Sequence, residues 1–211
     1  MPNTVWASDR LLYRAVEESD ESFLETLNSI AIDYANSSPG LLVPQGSKSA
    51  TKTREDLQGS LLGVIICLKS TTADPPTPVG FCALTGPEAD EVHHRCADYG
   101  ISIDSAYQGR GYGAEATRWC LNWAFKYANL NRVELGAFEY NPGAVRLYER
   151  LGFVLEGRKR KRFWYDGRYW DDLLYGMLRE DWEKRYAAEA GGDESKTLMP
   201  VLDKAATATS P

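Results

Sequence analysis

The stretch from Tyr99 to Thr117, YGISIDSAYQGRGYGAEAT, leaves the backbone few choices. Tyr99 to Ile103 carries the β-branched and aromatic residues of a strand. A short turn follows through Asp104 and Ser105. Then come Gln108, Gly109, Arg110, Gly111, Tyr112 and Gly113, and directly after them a helix-forming run. A glycine-rich turn between a strand and a helix start is suited to holding phosphate. The glycines let the backbone approach a ligand closely, and the first unpaired N–H groups of the helix point at it. The helix dipole and the Arg110 guanidinium add positive potential. We read the stretch as the pyrophosphate cradle of a coenzyme. The same letters fit the dinucleotide fingerprint G-x-G-x-x-A, with Glu134 near the place of the ribose-binding acid, and a bare turn is the plainest alternative. A Walker loop is excluded, because no Gly-Lys-Ser/Thr follows.

Composition narrows the setting. A chain of 211 residues with 43% hydrophobic content can bury a real core as one domain, or one domain plus tails. We expect an N-terminal extension over 1–8, the domain over 9–186, and a disordered tail over 187–211, where the sequence turns small, polar and aperiodic. The net charge of −6 argues against a general nucleic-acid binder and is compatible with a cationic substrate such as an amine. Cys67, Cys82, Cys96 and Cys120 form no C-x-x-C pair and read as free thiols of a reducing compartment. With no basic-then-apolar leader and no apolar run near membrane-span length, the expected location is the cytoplasm, with access to the nucleus, and no membrane partner. His93 and His94 lack a third ligand at metal spacing, so no metal is expected.

Periodicity then orders the chain. Arg10 to Arg14 reads as a strand, and Phe23, Leu24, Leu27 and Ile30 as the apolar stripe of a helix. Residues 36–49, rich in Ser, Pro and Gly around Leu41, Leu42 and Val43, read as a loop between helices. Those three apolar side chains serve either a substrate lid or packing onto the core. A second helix covers about Ala50 to Gln58, and two strands, Leu61 to Leu68 and Val79 to Leu84, form a hairpin around a proline-rich turn. After the central strand, Arg95 to Ile103, the helix from about Gly111 to Tyr127 should pack Ala116, Cys120, Trp123, Ala124 and Tyr127 on a sheet. The strand Arg132 to Phe138 should then lie parallel to the central one. Asn141 and Pro142 open another helix as cap and first residue, and Gly152 closes it. Asp166-Gly167 joins two long strands as a tight hairpin, and a helix over Glu180 to Glu189 ends the pattern. About half the chain precedes the glycine-rich turn, whereas a dinucleotide domain normally begins with it.

Two blocks in this order carry a resemblance. Gln108 to Gly113 matches Q/R-x-x-G-x-G/A, and Asn141 through Tyr148 to Gly152-Phe153 matches an asparagine, tyrosine, Gly-Phe pattern. With a softer match from Glu156-Gly157-Arg158 to Asp171, the chain from about Asp9 to Glu183 resembles the GNAT superfamily of acetyl-CoA-dependent N-acetyltransferases. Within it, the likeness is to the branch holding ribosomal-protein-alanine and spermidine acetyltransferases. The resemblance implies an α+β fold: a mixed, mostly antiparallel sheet, splayed between strands 4 and 5 and flanked by helices. It implies that the backbone of Ile101, Ser102 and Ile103 pairs with the pantetheine arm of acetyl-CoA, and that the amides from Gln108 through Gly109, Arg110, Gly111, Tyr112 and Gly113 to Ala114 hold the pyrophosphate. Asn141 would bond the coenzyme near the thioester.

The implied chemistry is direct attack of a neutral amine on the thioester, with no enzyme nucleophile. Tyr148, a phenol protonated at neutral pH, would give the leaving thiolate its proton. Asp98 would take the proton of the acceptor ammonium, with Glu139 or water as competitors. The acceptor would be a protein N-terminus, a polyamine or another small amine, and the chain a monomer or homodimer. A module that binds acyl-CoA without turnover is the alternative. The run Arg158 to Arg162 reads as a solvated, charge-rich strand. Phe163, Trp164, Tyr165, Tyr169 and Trp170 read as core or a dimer face, with one or two walling the acceptor pocket.

Overall fold

Alternation of apolar residues along the strands gives the molecule its layers. The structure, a computed structural model, describes residues 5–70 and 75–190. Strands β1 (Leu11–Arg14), β2 (Leu62–Leu68), β3 (Pro78–Thr85), β4 (Cys96–Ile103), β5 (Arg132–Phe138), β6 (Val154–Tyr165) and β7 (Arg168–Leu178) form one seven-stranded sheet in the order β1-β2-β3-β4-β5-β7-β6. Every neighbouring pair is antiparallel except β4 and β5. The crossover between those two is the helix after the glycine-rich turn, as the strand–helix–strand spacing predicts.

The helices are α1 (Glu21–Ser29), α2 (Ala31–Ser37), α3 (Ser47–Gly59), α4 (Tyr112–Lys126), α5 (Pro142–Leu151) and α6 (Arg179–Ala190). One face of the sheet buries Leu24, Ala50, Leu57, Ile65 and Cys67 between β2 and the pair α1 and α3. The other face carries the larger core, in which Tyr99, Val133, Leu135, Tyr175 and Met177 of the sheet meet Ala116, Cys120, Ala124 and Phe125 of α4 and Leu151 of α5. Gly63 lets β2 pass close under α3: a Cβ there would lie 2.0 Å from the Leu57 carbonyl oxygen.

Two local devices shape the far end. Asp166 and Gly167 both take positive φ, 49° and 75°, the backbone of a two-residue hairpin turn matched to strand twist. Lys161 bulges out of β6 at φ 52°, where the register jumps from Lys159↔Asp172 to Phe163↔Trp170. Its N–H donates to Asp171 Oδ1 at 2.8 Å. β6 is an outer strand, and a bulge within an exposed basic run discourages further strands from adding to it.

Several expectations need correction. The stretch after α1 is not loop from Asn36 onward, since α2 occupies Ala31–Ser37. Tyr127 does not pack on the sheet but is 58% exposed, and α4 buries Trp119, Leu121 and Phe125 instead. The reason is that α4 is covered on its flanks as well as its sheet face. Trp119 stacks on Tyr13 at 3.6 Å and donates to the Val5 carbonyl, while Phe125 meets Trp182 of α6 at 5.5 Å. None of the five hairpin aromatics is core; Trp164 and Tyr169 are the most exposed and face each other across the strands. The helix at the C-terminal end runs on to Ala190, and the expected tail beyond it, 191–211, lies outside the described residues. Part of the proline-rich turn, 71–74, does too.

Candidate active site

The parallel pair sets the geometry. β4 and β5 are in register only at Cys96↔Arg132, Ala97↔Val133 and Asp98↔Glu134. Beyond Asp98 each strand keeps its outer partner, β4 with β3 as far as Ile103↔Gly80 and β5 with β7 as far as Phe138↔Asp172. The facing edges of Tyr99–Ile103 and Leu135–Phe138 are therefore unpaired with one another, and a wedge opens in the middle of the sheet. Backbone groups left without a ladder partner need another acceptor or donor. An extended ligand lying in the wedge supplies one in the way an added strand does. Ile101, Ser102 and Ile103 sit on this edge.

The glycine-rich turn stands where β4 ends. Gly109 and Gly111 take φ of 73° and 83°, the left-handed region that glycine enters without strain. Gly111 is the residue before the first turn of α4. The backbone N–H groups of Gly109, Arg110, Gly111, Tyr112, Gly113 and Ala114 have no backbone acceptor among the described residues, whereas the next one along, Glu115 N–H, donates to the Gly111 carbonyl. Gln108 departs from the expectation placed on it. Its N–H is already given to Ser105 O at 3.3 Å, and its side chain ties the turn to Ile103 O at 2.7 Å and reaches Asp33 of α2. The open amides thus begin at Gly109. This cluster, with the positive end of α4 behind it, fits an anion.

A clasp that the sequence did not disclose fixes this turn from the first strand's side. Arg10 donates to the Arg110 carbonyl at 3.0 Å, pairs with Glu115 at 2.7 Å and lies over the Tyr112 ring at 4.7 Å. Glu115 also accepts from Ser8 Oγ and the Arg10 N–H, each at 2.7 Å. Burial pushes the Glu115 carboxyl upward, and these bonds from Arg10 and Ser8 outweigh it and hold the group below the usual carboxylate range.

α5 brings the second set. Asn141 caps it, its side-chain oxygen accepting from the Ala144 N–H at 3.1 Å. Gly152 closes it at φ 95°. Tyr148 lies between, in the same core as Tyr99, Leu135 and Ala137 and 7% exposed, with its ring edge-on to Phe153 at 5.7 Å. It is thus on the α4–α5 side of the sheet, where the turn and the wedge meet: a Cβ on Gly113 would touch Leu147 of α5 at 3.6 Å and Ile103 of β4 at 4.0 Å. Burial alone pushes its hydroxyl up to about 12, so the group is protonated at neutral pH.

Asp98 alternates with Ala97 and Tyr99, which belong to the larger core, and so faces the other side of the sheet, where it is exposed. Partial burial and then the negative charge of Glu134, its register partner, raise its carboxyl above the usual range, against the pull of Arg132. Arg132 is itself shared between Glu134 and Glu156. Glu139 is committed elsewhere: Arg158 bonds it at 2.8 Å and the Asp171 N–H at 3.1 Å, which pins the β6–β7 hairpin to the end of β5. A carboxylate so engaged makes a poor base, and Asp98 is the freer of the two. On Asp98's side a cavity of about 690 Å³ is walled by Tyr34, Thr53, Asp56, Phe81, Gly100 and Ser102. Among the described residues no group of three or more His, Cys, Asp or Glu side chains could hold a metal ion, and no helix is long and apolar enough to cross a membrane.

The chain is similar to known proteins. The chain is 38% identical over 92 residues to spermidine N(1)-acetyltransferase of Vibrio cholerae, covering 44% of this chain and 53% of that protein. It is 32% identical over 83 residues to the L-amino acid N-acetyltransferase AaaT of Escherichia coli, covering 39% and 50%. The chain thus spans about half the length of the curated relatives it matches. A crystal structure of the Vibrio cholerae spermidine N-acetyltransferase in complex with CoA and spermine superposes with a TM-score of 0.68 at 24% identity, covering 83% of this chain and 99% of that one, which shows a common fold. The acetyltransferase (GNAT) domain profile matches residues 10–154, most of the chain, and with the wedge, the open amides and the α5 block inside that span, the chain belongs to the acetyltransferase (GNAT) domain family.

Proposed function

We propose that the protein is an acetyl-CoA-dependent N-acetyltransferase that moves an acetyl group directly to a primary amine. The observation that carries this reading is the wedge itself: two central strands part after three register pairs, and a row of free amides stands at the end of one of them. A diphosphate suits the amides from Gly109 to Ala114, and an extended, amide-bearing arm suits the open edge of Ile101, Ser102 and Ile103. Asn141 and Tyr148 then lie toward the reactive end. When bound, acetyl-CoA supplies an activated acyl carbon and a thiolate leaving group.

The residues divide the remaining work. Asp98, its carboxyl raised above the usual range by partial burial and then by Glu134, accepts a proton from the acceptor ammonium, directly or through water. A free N–H on the open edge of β4 stabilises charge on the acyl oxygen. Tyr148 donates a hydrogen bond, and in the end a proton, to the departing sulfur. The relatives named above act on spermidine and on L-amino acids, which supports a primary amine as the acceptor class. The four free cysteines, three of them buried, suit the reducing cytoplasm.

The test is thiol release from acetyl-CoA across a panel of primary amines, alongside acetyl-CoA binding by calorimetry. Binding with turnover of at least one amine is expected. Binding without turnover of any amine identifies a sensor module, and binding of NAD in place of acetyl-CoA defeats the reading altogether.

A further inference from the structure

The connection between α2 and α3 holds its apolar residues out of both cores. Leu41 is 82% exposed, and Leu42 and Val43 are each 48% exposed. Across from them the outer part of the β6–β7 hairpin presents Phe163, Trp164 and Tyr165, with Trp164 63% exposed. Between the two lies a cavity of about 770 Å³ that Leu41, Leu42, Tyr140, Phe163, Trp164 and Tyr165 wall. Its charged side chains are one Arg162 and one Asp166, which balance. Large apolar groups left in water on two opposed walls mark a surface that is covered in use.

Tyr140 stands between this cavity and the end of β5. It directly precedes Asn141 and donates to the Ala35 carbonyl of α2 at 2.8 Å. It stacks on Phe138, the end of β5, at 5.0 Å and on Tyr165 of the hairpin at 4.5 Å. α2 is fastened at its other end to the glycine-rich turn, through Asp33 to the Ser105 N–H at 3.1 Å. One short helix therefore spans the mouth of the wedge, with the polar cavity of Tyr34, Thr53 and Asp56 on one side and the aromatic cavity on the other; Ser38 lines both.

Resting on the acetyltransferase reading above, the geometry points to an acceptor whose amine is borne by an aromatic or bulky apolar group, with that group held between Leu41, Leu42 and the hairpin aromatics. The amine itself stands at the wedge beyond Tyr140. A polyamine is a poor fit to this pocket, because several separated ammonium groups need several acidic partners and Asp166 alone is offered, opposed by Arg162. The same chemistry comes from a free arylalkylamine or from a peptide whose first residue is aromatic.

The experiment compares kcat/KM for phenethylamine, Phe-Gly-Gly, glycinamide and spermidine, with Leu42→Asp and Trp164→Ala beside the parent, and measures phenethylamine binding by calorimetry independently of turnover. We expect kcat/KM for phenethylamine or Phe-Gly-Gly to exceed that for spermidine and glycinamide by about tenfold or more. The better of the two aromatic acceptors names the source. Each substitution should lower the ratio of aromatic acceptor to glycinamide by about tenfold while the fold is retained by circular dichroism. Saturable phenethylamine binding that Leu42→Asp abolishes, without turnover of any amine, keeps the pocket assignment and overturns only the enzyme reading. Spermidine as the best acceptor, ratios unmoved by either substitution, or a dimer that Leu42→Asp splits with no effect on the ratios, overturns the assignment.

Discussion

Replacing Tyr148 by Phe removes one oxygen and nothing else from the proposed reaction centre. The ring packs against Phe153 at 5.7 Å and Tyr175 at 6.4 Å, and phenylalanine keeps both contacts. No hydrogen bond to the hydroxyl is made among the described residues, and its pKa is moved by burial alone, up to about 12. Stability should therefore change by less than about 1 kcal/mol, since no partner is left unsatisfied. The kinetic effect follows from the same number. A thiol ordinarily ionises near 8.5, so full proton transfer from a phenol at about 12 is uphill by roughly 3.5 units, or about 5 kcal/mol, until the thiolate too is desolvated. The hydroxyl should then act mainly as a donor to the developing thiolate, and a hydrogen bond to a charged group contributes about 1.5–3 kcal/mol. Tyr148→Phe should lower kcat about 10- to 150-fold and leave the KM for acetyl-CoA within about twofold, since the bond forms only as charge develops. Thiol release followed with a chromogenic disulfide, at saturating amine, reads the rate, and a thermal melt reads the fold. An unchanged kcat, or a melt lowered as far as a core cavity lowers it, would refute the argument.

The glycine-rich turn and its surroundings give further expectations. Gly109→Ala and Gly111→Ala each force a side chain into the left-handed region at φ 73° and 83° and should cost about 1–2 kcal/mol in a thermal or urea melt, Gly111 the more because its Cβ meets Arg10 at 3.3 Å. Arg10→Met removes the clasp on the Arg110 carbonyl and Glu115, so the KM for acetyl-CoA should rise several-fold while kcat at saturation holds. Glu115 has a lowered folded pKa, so its contribution is present above its unfolded value and lost as pH falls through the folded one; melts between pH 6 and about 3 should show a smaller drop in Arg10→Met than in the parent. Asp98 has the opposite sign: its raised pKa means that stability falls as pH rises through the carboxylate range, so Asp98→Asn should melt slightly higher at pH 7 while turnover falls.

Most of the fold could be read in the chain because its signals were local. Asn141, Pro142 and Gly152 act within a few residues of themselves, and they bound α5 where their chemistry says. Asp166-Gly167 needs only its own two dihedral angles to turn the hairpin. What escaped depends on contacts remote in sequence. α4 carries its buried residues around three sides because the segment near Val5 and the helix holding Trp182 cover its flanks, and a single apolar stripe cannot report cover from segments so remote in sequence. α2 is seven residues long with Asp33 buried at 4% exposure, a composition with no helical stripe; it is set by Asp33 on the glycine-rich turn and Ala35 on Tyr140.

The candidate site divides along the same line. The amides of the turn announce themselves through glycine spacing, because positive φ is a property of single residues. Arg10 could not be found that way, standing a hundred positions before the carbonyl it holds. Glu139 stood as the competitor to Asp98 for the role of base, and their three-dimensional neighbours tell the two apart. Arg158 and a backbone N–H occupy Glu139, whereas the partner that register gives Asp98 is another carboxylate. Of the two, only Asp98 has its carboxyl raised, by partial burial first and by the Glu134 charge that strand pairing sets beside it second, which favours it for the proposed role of base. The divergence of β4 from β5 thus does two things at one point: it opens the edge along which a coenzyme arm can lie, and it leaves Asp98 where partial burial first and the charge of Glu134 second raise its carboxyl, as its proposed role as a base requires.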